Sequence, residues 1–362
     1  MWLVNINNIK SKKICIIMED WFSYLLLIWL IYNDFNISLD IEIIFSIKEE
    51  KIFFSKLLSK KRNYSKILIV SLNILIVILA LSNIKNIEKL KVCLCTVGKE
   101  ENLYVREYIF HYKKYNLDKI FIYDNNEING ENFNKVINDY ILNGFVEIIN
   151  IRGKIAEQIN AFQNCYEKNK NKYDWILFYD MDEYIYLKNQ KNIKYYLGKK
   201  KFKKCEVIQL NMFFHTDNNR LYYENKTLSE RFTEKKKTKI GVLKSILRGD
   251  VITTIYCPHE LNRSLTSCDG FGNINMDYKP IISTTKPDFK YNYIDHYSYK
   301  STEEFAKKVM KTDGIEGLSI KRKYEKIDWY FGINELTKEK IDLFENLTNL
   351  NLSNIRRRLR NA

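Results

Sequence analysis

Two carboxylates stand one residue apart at the end of an apolar run. Trp175-Ile-Leu-Phe-Tyr179 leads into Asp180, and Asp182 and Glu183 follow at once. The pattern predicts a buried strand ending on paired carboxylates. In an open α/β sheet, ligands bind at the carboxyl ends of strands. Two oxygen ligands at i and i+2 suit a hard divalent cation, Mg²⁺ or Mn²⁺, that keeps waters and substrate phosphates as its other ligands. The same residues would also make an ordinary acidic turn, so their setting decides between the two.

The elements around this strand alternate. Lys91–Val97, Lys119–Tyr123 and Phe145–Ile149 read as strands. Asn102–Tyr115, Phe133–Leu142 and Ile155–Lys168 read as helices, the second stopping at Asn143-Gly144. Repeated strand–helix units predict an α/β fold, a mainly parallel sheet with helices on both faces. Thr96 to Glu101, Asp124 to Asn126 and Asp180 to Glu183 would then gather at the strand ends. Beyond Asp182 the alternation weakens. Cys205–Phe214 is a strong strand, and Arg231–Thr233 and Gly249–Ile255 read as shorter ones. Thr302–Met310 reads as a helix opened by a Ser301/Glu304 capping box. Lys338–Leu347 and the last ten residues look helical. This divides the chain into residues 1–90, a domain over 91–330 and a basic helical tail over 331–362.

The chain has 362 residues, 46% hydrophobic and 28% charged, enough for a substantial core. It has only 12 Gly, and neither G-x-G-x-x-G after a strand nor G-x-x-x-x-G-K-[ST] occurs. A dinucleotide fingerprint and a P-loop are therefore not expected. The net charge of +15 favours an anionic partner, or is simply a basic solvated surface. Lys199–Lys201 and Lys235–Lys237 read as solvated loops, while Arg356, Arg357, Arg358 and Arg360 are placed to touch anionic lipid. The seven Cys include no C-x-x-C pair, and Cys93 and Cys95 share one strand face as buried thiols. That usage predicts a reducing compartment, without a disulfide framework or a zinc site.

Residues 1–90 form an N-terminal hydrophobic helical region in this reading. Ile67–Ile84 carries no charge over eighteen residues, with Lys60, Lys61, Arg62 and Lys66 before it and Lys85 after. It is long enough to cross a bilayer with its N-terminal flank in the cytoplasm, or to pack as a core helix. Trp21–Tyr32 is a shorter candidate. One crossing would leave the following domain outside the cytoplasm, and two would return it.

The blocks, in order, resemble the family-2-like glycosyltransferases and the related family 92. KVCLCTVGKEENLYVREYIFHY is similar to the family's first strand and helix, IFIYDNNE to its second strand end, and Gln158-x-x-Ala161-Phe162-x-x-Cys165 to a following helix. WILFYDMDEYI is similar to its D-x-D block, and ERFT (230–233), PHE (258–260) and HYSYKSTEEFAKK (296–308) to later blocks. The likeness covers about residues 91–315. It implies a GT-A fold, a nucleotide-sugar donor, a divalent metal on the D-x-D, and inversion at the anomeric carbon. Two departures stand out: Glu100-Glu101-Asn102 where the family has Asn-Glu, and Glu127 where it has Ser or Thr.

The resemblance assigns tasks. Asp182 would hold the metal against the leaving diphosphate, and Asp180 would join it or meet the ribose or a metal-bound water. Thr96, Glu101, Asn102, Asp124, Asn126, Gln158 and Asp180 form the expected donor-binding set. Asp124 would accept from the nucleoside, or else close an Asx turn with Asn125 and Asn126. Of the four histidines, His296 is the first choice for a further metal ligand. His259 is the second, or a phosphate or acceptor contact, and His111 reads as structural. The acceptor hydroxyl needs a carboxylate base. Glu230, Asp269 and Glu183 are the candidates, although Glu183 would equally support the strand turn. Lys244 and Arg248 would bind the diphosphate or decorate a helix.

The reading reached is a Mn²⁺- or Mg²⁺-dependent, inverting glycosyltransferase of the hexosyl type. Its donor would be a nucleotide-sugar, in the first instance a UDP-sugar, and its acceptor a saccharide on a lipid, polysaccharide or protein. A membrane partner is expected and nucleic acid is not. The enzyme would be membrane-associated, its catalytic domain cytoplasmic in a bacterium and lumenal in a Golgi enzyme. A nucleotidyltransferase acting on a sugar phosphate is the rival enzyme, disfavoured by the single Gly in Thr96–Lys99. A non-catalytic, basic, membrane-associated binding module is the other rival, disfavoured by the intact Asp180/Asp182 pair.

Overall fold

Unbroken apolar and aromatic runs build the first strands of the sheet. In the computed structural model these are β1 (Val92–Gly98), β2 (Lys119–Asp124), β3 (Val146–Asn150) and β4 (Trp175–Phe178), the four read from the sequence. They lie parallel in the order β3-β2-β1-β4. The structure describes residues 89–188, 192–236, 242–257, 260–261, 265–274, 292–311 and 319–360. The apolar stretches 21–32 and 67–84, and His259, lie outside the described residues. Among the described residues no helix is long and apolar enough to cross a membrane.

Strands buried on both faces need no polar alternation. Val92 and Leu94 share one core with helices α1 (Val105–Lys114) and α2 (Asn134–Leu142). Cys93 and Cys95 share a second core with α3 (Gln158–Asn169) on the opposite face.

The rest of the sheet corrects the expectation of mainly parallel strands. β5 (Glu183–Leu187), β6 (Val207–His215), β7 (Lys235–Lys236) and β8 (Leu243–Arg248) follow in the chain. β9 (Ile255–Cys257) and β10 (Glu260–Leu261) pair with each other, and β11 (Ser267–Asp269) and β12 (Asn292–His296) complete the strands described. β8 runs antiparallel between β4 and β6, β12 runs parallel to β6, and β5 ends the order antiparallel to β12. The fold is therefore mixed α/β. The remaining helices are α4 (Ile193–Leu197), α5 (Leu228–Arg231), α6 (Thr302–Met310), α7 (Ile320–Ile333), α8 (Lys338–Thr348) and α9 (Ser353–Arg360). The Ser301/Glu304 capping box opens α6 as expected. Helices α6 to α9 close around a third core that buries Phe305, Tyr330, Phe344 and Ile355.

Several local expectations change. Arg231 ends a helix instead of starting a strand, and only Ile255 of Gly249–Ile255 enters one. Lys235 and Lys236 form an exposed edge strand on β6. Lys244 and Arg248 lie on β8, not on a helix.

Cysteine usage is the larger correction. Cys95 is bonded to Cys165, tying β1 to α3, and Cys205 to Cys268, tying the entry of β6 to β11. Among the described side chains Cys93 is a free, buried thiol. The partners lie 70 and 63 residues apart, beyond any local spacing rule, so the sequence gives no sign of either pair. The residue-based argument for a reducing compartment falls with them. Disulfides closing loops of this size stabilise by roughly 2–5 kcal/mol each. Peptide mapping without reductant should recover both cross-links, and reductant should lower the denaturant midpoint. Four freely alkylated thiols at these positions would overturn the pairing.

Candidate functional site

The site is built where β4 ends and β5 begins. The turn between them carries Asp180 and Asp182, and Glu183 opens β5. The backbone N–H of Tyr297, just past β12, donates to the Asp182 carbonyl at 2.8 Å. Antiparallel pairing of β12 with β5 then sets His296 opposite Glu183. Sheet register thus brings the D-x-D and a distant histidine to one place.

Asp182, Glu183 and His296 each offer one ligand atom, and these atoms lie within 4.8 Å of one another. His296 Nε2 is 3.4 Å from Asp182 Oδ1 and 4.0 Å from Glu183 Oε1. His296 Nδ1 is buried with no hydrogen-bond partner, and the ring packs against Phe214 with centroids 4.9 Å apart. Two carboxylate oxygens and an imidazole are a donor set that Mn²⁺ accepts.

Asp180, read as a second ligand, lies outside this group. Its Oδ1 accepts from Gln158 Nε2 at 2.6 Å and its Oδ2 from Lys244 Nζ at 2.8 Å. Lys244 is completely buried on β8 and also sits 3.1 Å from Glu183 Oε1. Burial works against the Lys244 charge, but Asp180 and Glu183 outweigh it and raise its pKa. Glu183 supports the strand turn: its Oε2 accepts from the Asp180 N–H at 3.0 Å. Burial pushes the Glu183 carboxyl well above the usual range, against the pull of Lys244. Burial would raise Asp182 too, yet the charges of Lys308 and His296 hold it well below that range.

The other donor-binding candidates sit at the ends of β1 and β2, in the loops that follow them and at the start of α3. Asp124 closes the Asx turn, its Oδ1 accepting from Asn126 N at 3.0 Å and Nδ2 at 2.7 Å. Its Oδ2 pairs with Arg152 at 2.8 Å. Asn126 Oδ1 accepts from the Glu100 N–H at 2.7 Å. The Asn102 N–H donates to Glu131 at 2.9 Å, and the Glu101 carboxylate meets Lys300 Nζ at 3.0 Å. Thr96 is fully buried in β1.

Two base candidates have other tasks. Glu230 is exposed and closes a capping box, accepting from Thr227 N at 2.9 Å and Oγ1 at 2.6 Å. Asp269 accepts from the N–H groups of Phe271 and Asn273 at 2.8 and 2.9 Å, and from Asn273 Nδ2 at 2.8 Å. Both carboxylates hold local structure, and neither belongs to the three-donor group.

Sequence reasoning missed several basic side chains with fixed partners. Lys308 Nζ lies 2.8 Å from Asp182 Oδ2. Arg231 is fully buried, paired with Glu304 at 2.8 Å and bonded to the Tyr104 hydroxyl at 2.9 Å. His215 bonds through both ring nitrogens, to the Phe232 carbonyl at 2.6 Å and to Asp295 Oδ1 at 2.7 Å. A lone Lys or Arg reads as surface, because such residues are buried only when paired. The available sign was membership of blocks already singled out: Arg231 in ERFT and Lys308 in HYSYKSTEEFAKK.

His111 is structural, as read. Its Nε2 faces the Ile185 carbonyl at 2.9 Å, and burial pulls its pKa down to about 4. A His with a depressed folded pKa binds fewer protons folded than unfolded. Its effect is therefore absent above about pH 6.5 and costs stability as pH falls toward 4. The loss reaches at most about 3 kcal/mol below pH 4. His111→Gln should flatten the stability profile between those pH values in urea titrations; an unchanged slope would show that His111 does not set it.

A sequence profile of glycosyltransferase family 92 matches residues 88–328. A glycosyltransferase family 92 protein of Ricinus communis is 20% identical over 225 residues, 60% of this chain and 37% of that protein. The chain thus spans less than two fifths of that curated relative. Among solved structures, S. aureus TarS aligns with a TM-score of 0.33 and 11% identity, over 67% of this chain and 43% of TarS. Its residues 1–349 in complex with UDP-GlcNAc align with a TM-score of 0.32 and 12% identity, over 71% of this chain and 79% of that one. The profile match takes in the whole Asp182–Glu183–His296 group and most of the sequence, and the chain belongs to glycosyltransferase family 92.

Proposed function

We propose that this enzyme transfers a hexosyl group from a UDP-sugar to a saccharide acceptor on a lipid, polysaccharide or protein. In this reading the fold is GT-A, a divalent cation assists, and the anomeric centre is inverted. The observation that carries the reading is the three-donor group of Asp182, Glu183 and His296 at the carboxyl end of the parallel strands. These residues would hold Mn²⁺ or Mg²⁺, which supplies Lewis-acid charge for the leaving diphosphate.

The chain's own residues do the rest. Gln158 and Lys244 fix Asp180, which leaves that carboxylate oriented for the donor without an added reorganisation. Lys300 and Lys308 bring positive charge to the same end of the sheet. In an inverting displacement the acceptor oxygen attacks the anomeric carbon opposite the diphosphate, and its proton passes to a carboxylate. Glu230 and Asp269 are poor candidates for that task, since both are engaged in local structure.

Two disulfides support an oxidising compartment for the catalytic domain. We therefore place it outside the cytoplasm, the side a single crossing by residues 67–84 would give. The deciding experiment incubates the full-length protein with Mn²⁺ and individual UDP-sugars and follows UDP release, with and without saccharide acceptors. Release from one donor, lost with chelator, supports the reading. A folded protein that binds no nucleotide-sugar would overturn it.

A further inference from the structure

Three lysines of one short segment reach acidic residues at least 126 positions earlier in the chain. Lys300 pairs with Glu101 and Lys311 with Glu100. Lys308 differs, because its carboxylate is a member of the three-donor group. Its Nζ lies 2.8 Å from Asp182 Oδ2 and also donates to the Ser298 carbonyl at 3.1 Å and hydroxyl at 3.3 Å. The other Asp182 oxygen faces His296 at 3.4 Å. Both oxygens of this buried carboxylate therefore face nitrogen, and the Lys308 ammonium covers the one that His296 does not.

An ammonium on one oxygen of Asp182 and a divalent cation on the other repel each other across a single carboxylate. One of them must yield, and Lys308 is built to move. Its helix is pinned at the start by the Ser301/Glu304 box and by Phe305, Ala306 and Val309 in the core, so the backbone stays. The side chain is 35% exposed, and a flexible four-carbon stem lets the ammonium swing.

We propose that Lys308 is a resident counter-ion of Asp182 that transfers to the donor's diphosphate as the metal arrives. The proposal rests on the donor-site reading above. Without donor, the ammonium neutralises Asp182 and lowers the affinity of the site for a cation. A diphosphate offers that ammonium a second anionic partner, and Asp182 is released to the metal. Metal and nucleoside diphosphate then bind with positive coupling, which is reciprocal.

The test measures free Mn²⁺ by electron paramagnetic resonance during titration of the full-length protein, with and without UDP. Wild type, Lys308→Met and Lys308→Gln are compared, with thermal melting to show that each is folded. UDP should tighten Mn²⁺ binding to wild type about tenfold, within the usual range of coupling between sites. Without UDP, either variant should bind Mn²⁺ about tenfold more tightly than wild type, and UDP should then add no more than about twofold. Equal Mn²⁺ affinity and equal coupling in wild type and a folded variant would overturn the role of Lys308 while leaving the donor site standing. No Mn²⁺ binding by any of the proteins, with or without UDP, would overturn the metal-site reading and this proposal together.

Discussion

Asp182→Asn is expected to lower UDP-sugar turnover by about a thousandfold or more, the scale of several kcal/mol of lost transition-state charge stabilisation. The substitution keeps the shape and one acceptor oxygen. It removes the charge that meets both His296 and Lys308. Asp180→Asn is a useful contrast, because Asp180 lies outside the three-donor group and is held by Gln158 and Lys244. Its main effect should fall on donor KM, with a smaller loss in kcat. The comparison is read from steady-state UDP release over a range of donor and Mn²⁺ concentrations. An Asp182→Asn enzyme that keeps a tenth or so of wild-type turnover, with unchanged Mn²⁺ dependence, would remove Asp182 from the chemistry.

The second large effect is on stability. Lys244 is fully buried between Asp180 and Glu183 at 2.8 and 3.1 Å, in the strand that joins the parallel half of the sheet to the rest. Lys244→Met keeps most of the volume and leaves the Asp180 carboxylate without its counter-charge. Removing one member of a buried ion pair costs about 3–5 kcal/mol. Urea denaturation should show a loss of that size. The double variant Lys244→Met with Asp180→Asn should lose less than Lys244→Met alone, because the orphaned charge is gone. Equal losses in the two would mean that the ammonium matters for packing and not for charge.

The parallel half of the fold was legible because its strands are apolar throughout and its helices amphipathic. Trp175–Phe178 and Val92–Gly98 can hardly be read otherwise. The antiparallel half was less so. Leu243–Arg248 carries Lys and Arg in a short strand, which blurs its pattern, and Glu183–Leu187 runs on directly from the D-x-D. Helix Ile320–Ile333 was not anticipated, since its charges and aromatics do not fall into a clear stripe. The site shows the same division. Asp182 and His296 could be picked out by residue type and block, but the pairing that brings them together is a matter of strand register. The roles of Lys244 and Lys308 depend on which carboxylates lie nearby, and that is fixed by the fold alone.

The ion pairs of Lys300, Lys308 and Lys311 have a consequence for synthesis. Their contacts join residues 199, 126 and 211 positions apart: Lys300 to Glu101, Lys308 to Asp182, Lys311 to Glu100. A ribosome adds about 5–20 residues per second, so Asp182 emerges roughly ten seconds before its partner exists. During that interval the early acidic residues have none of these cations, while β1 to β4 already have their parallel neighbours. The nascent chain can thus acquire a sheet well before it acquires a working centre. Premature termination between Asp182 and Lys308 would release a protein with Asp182 and without its cation, so α6 is the element that supplies it.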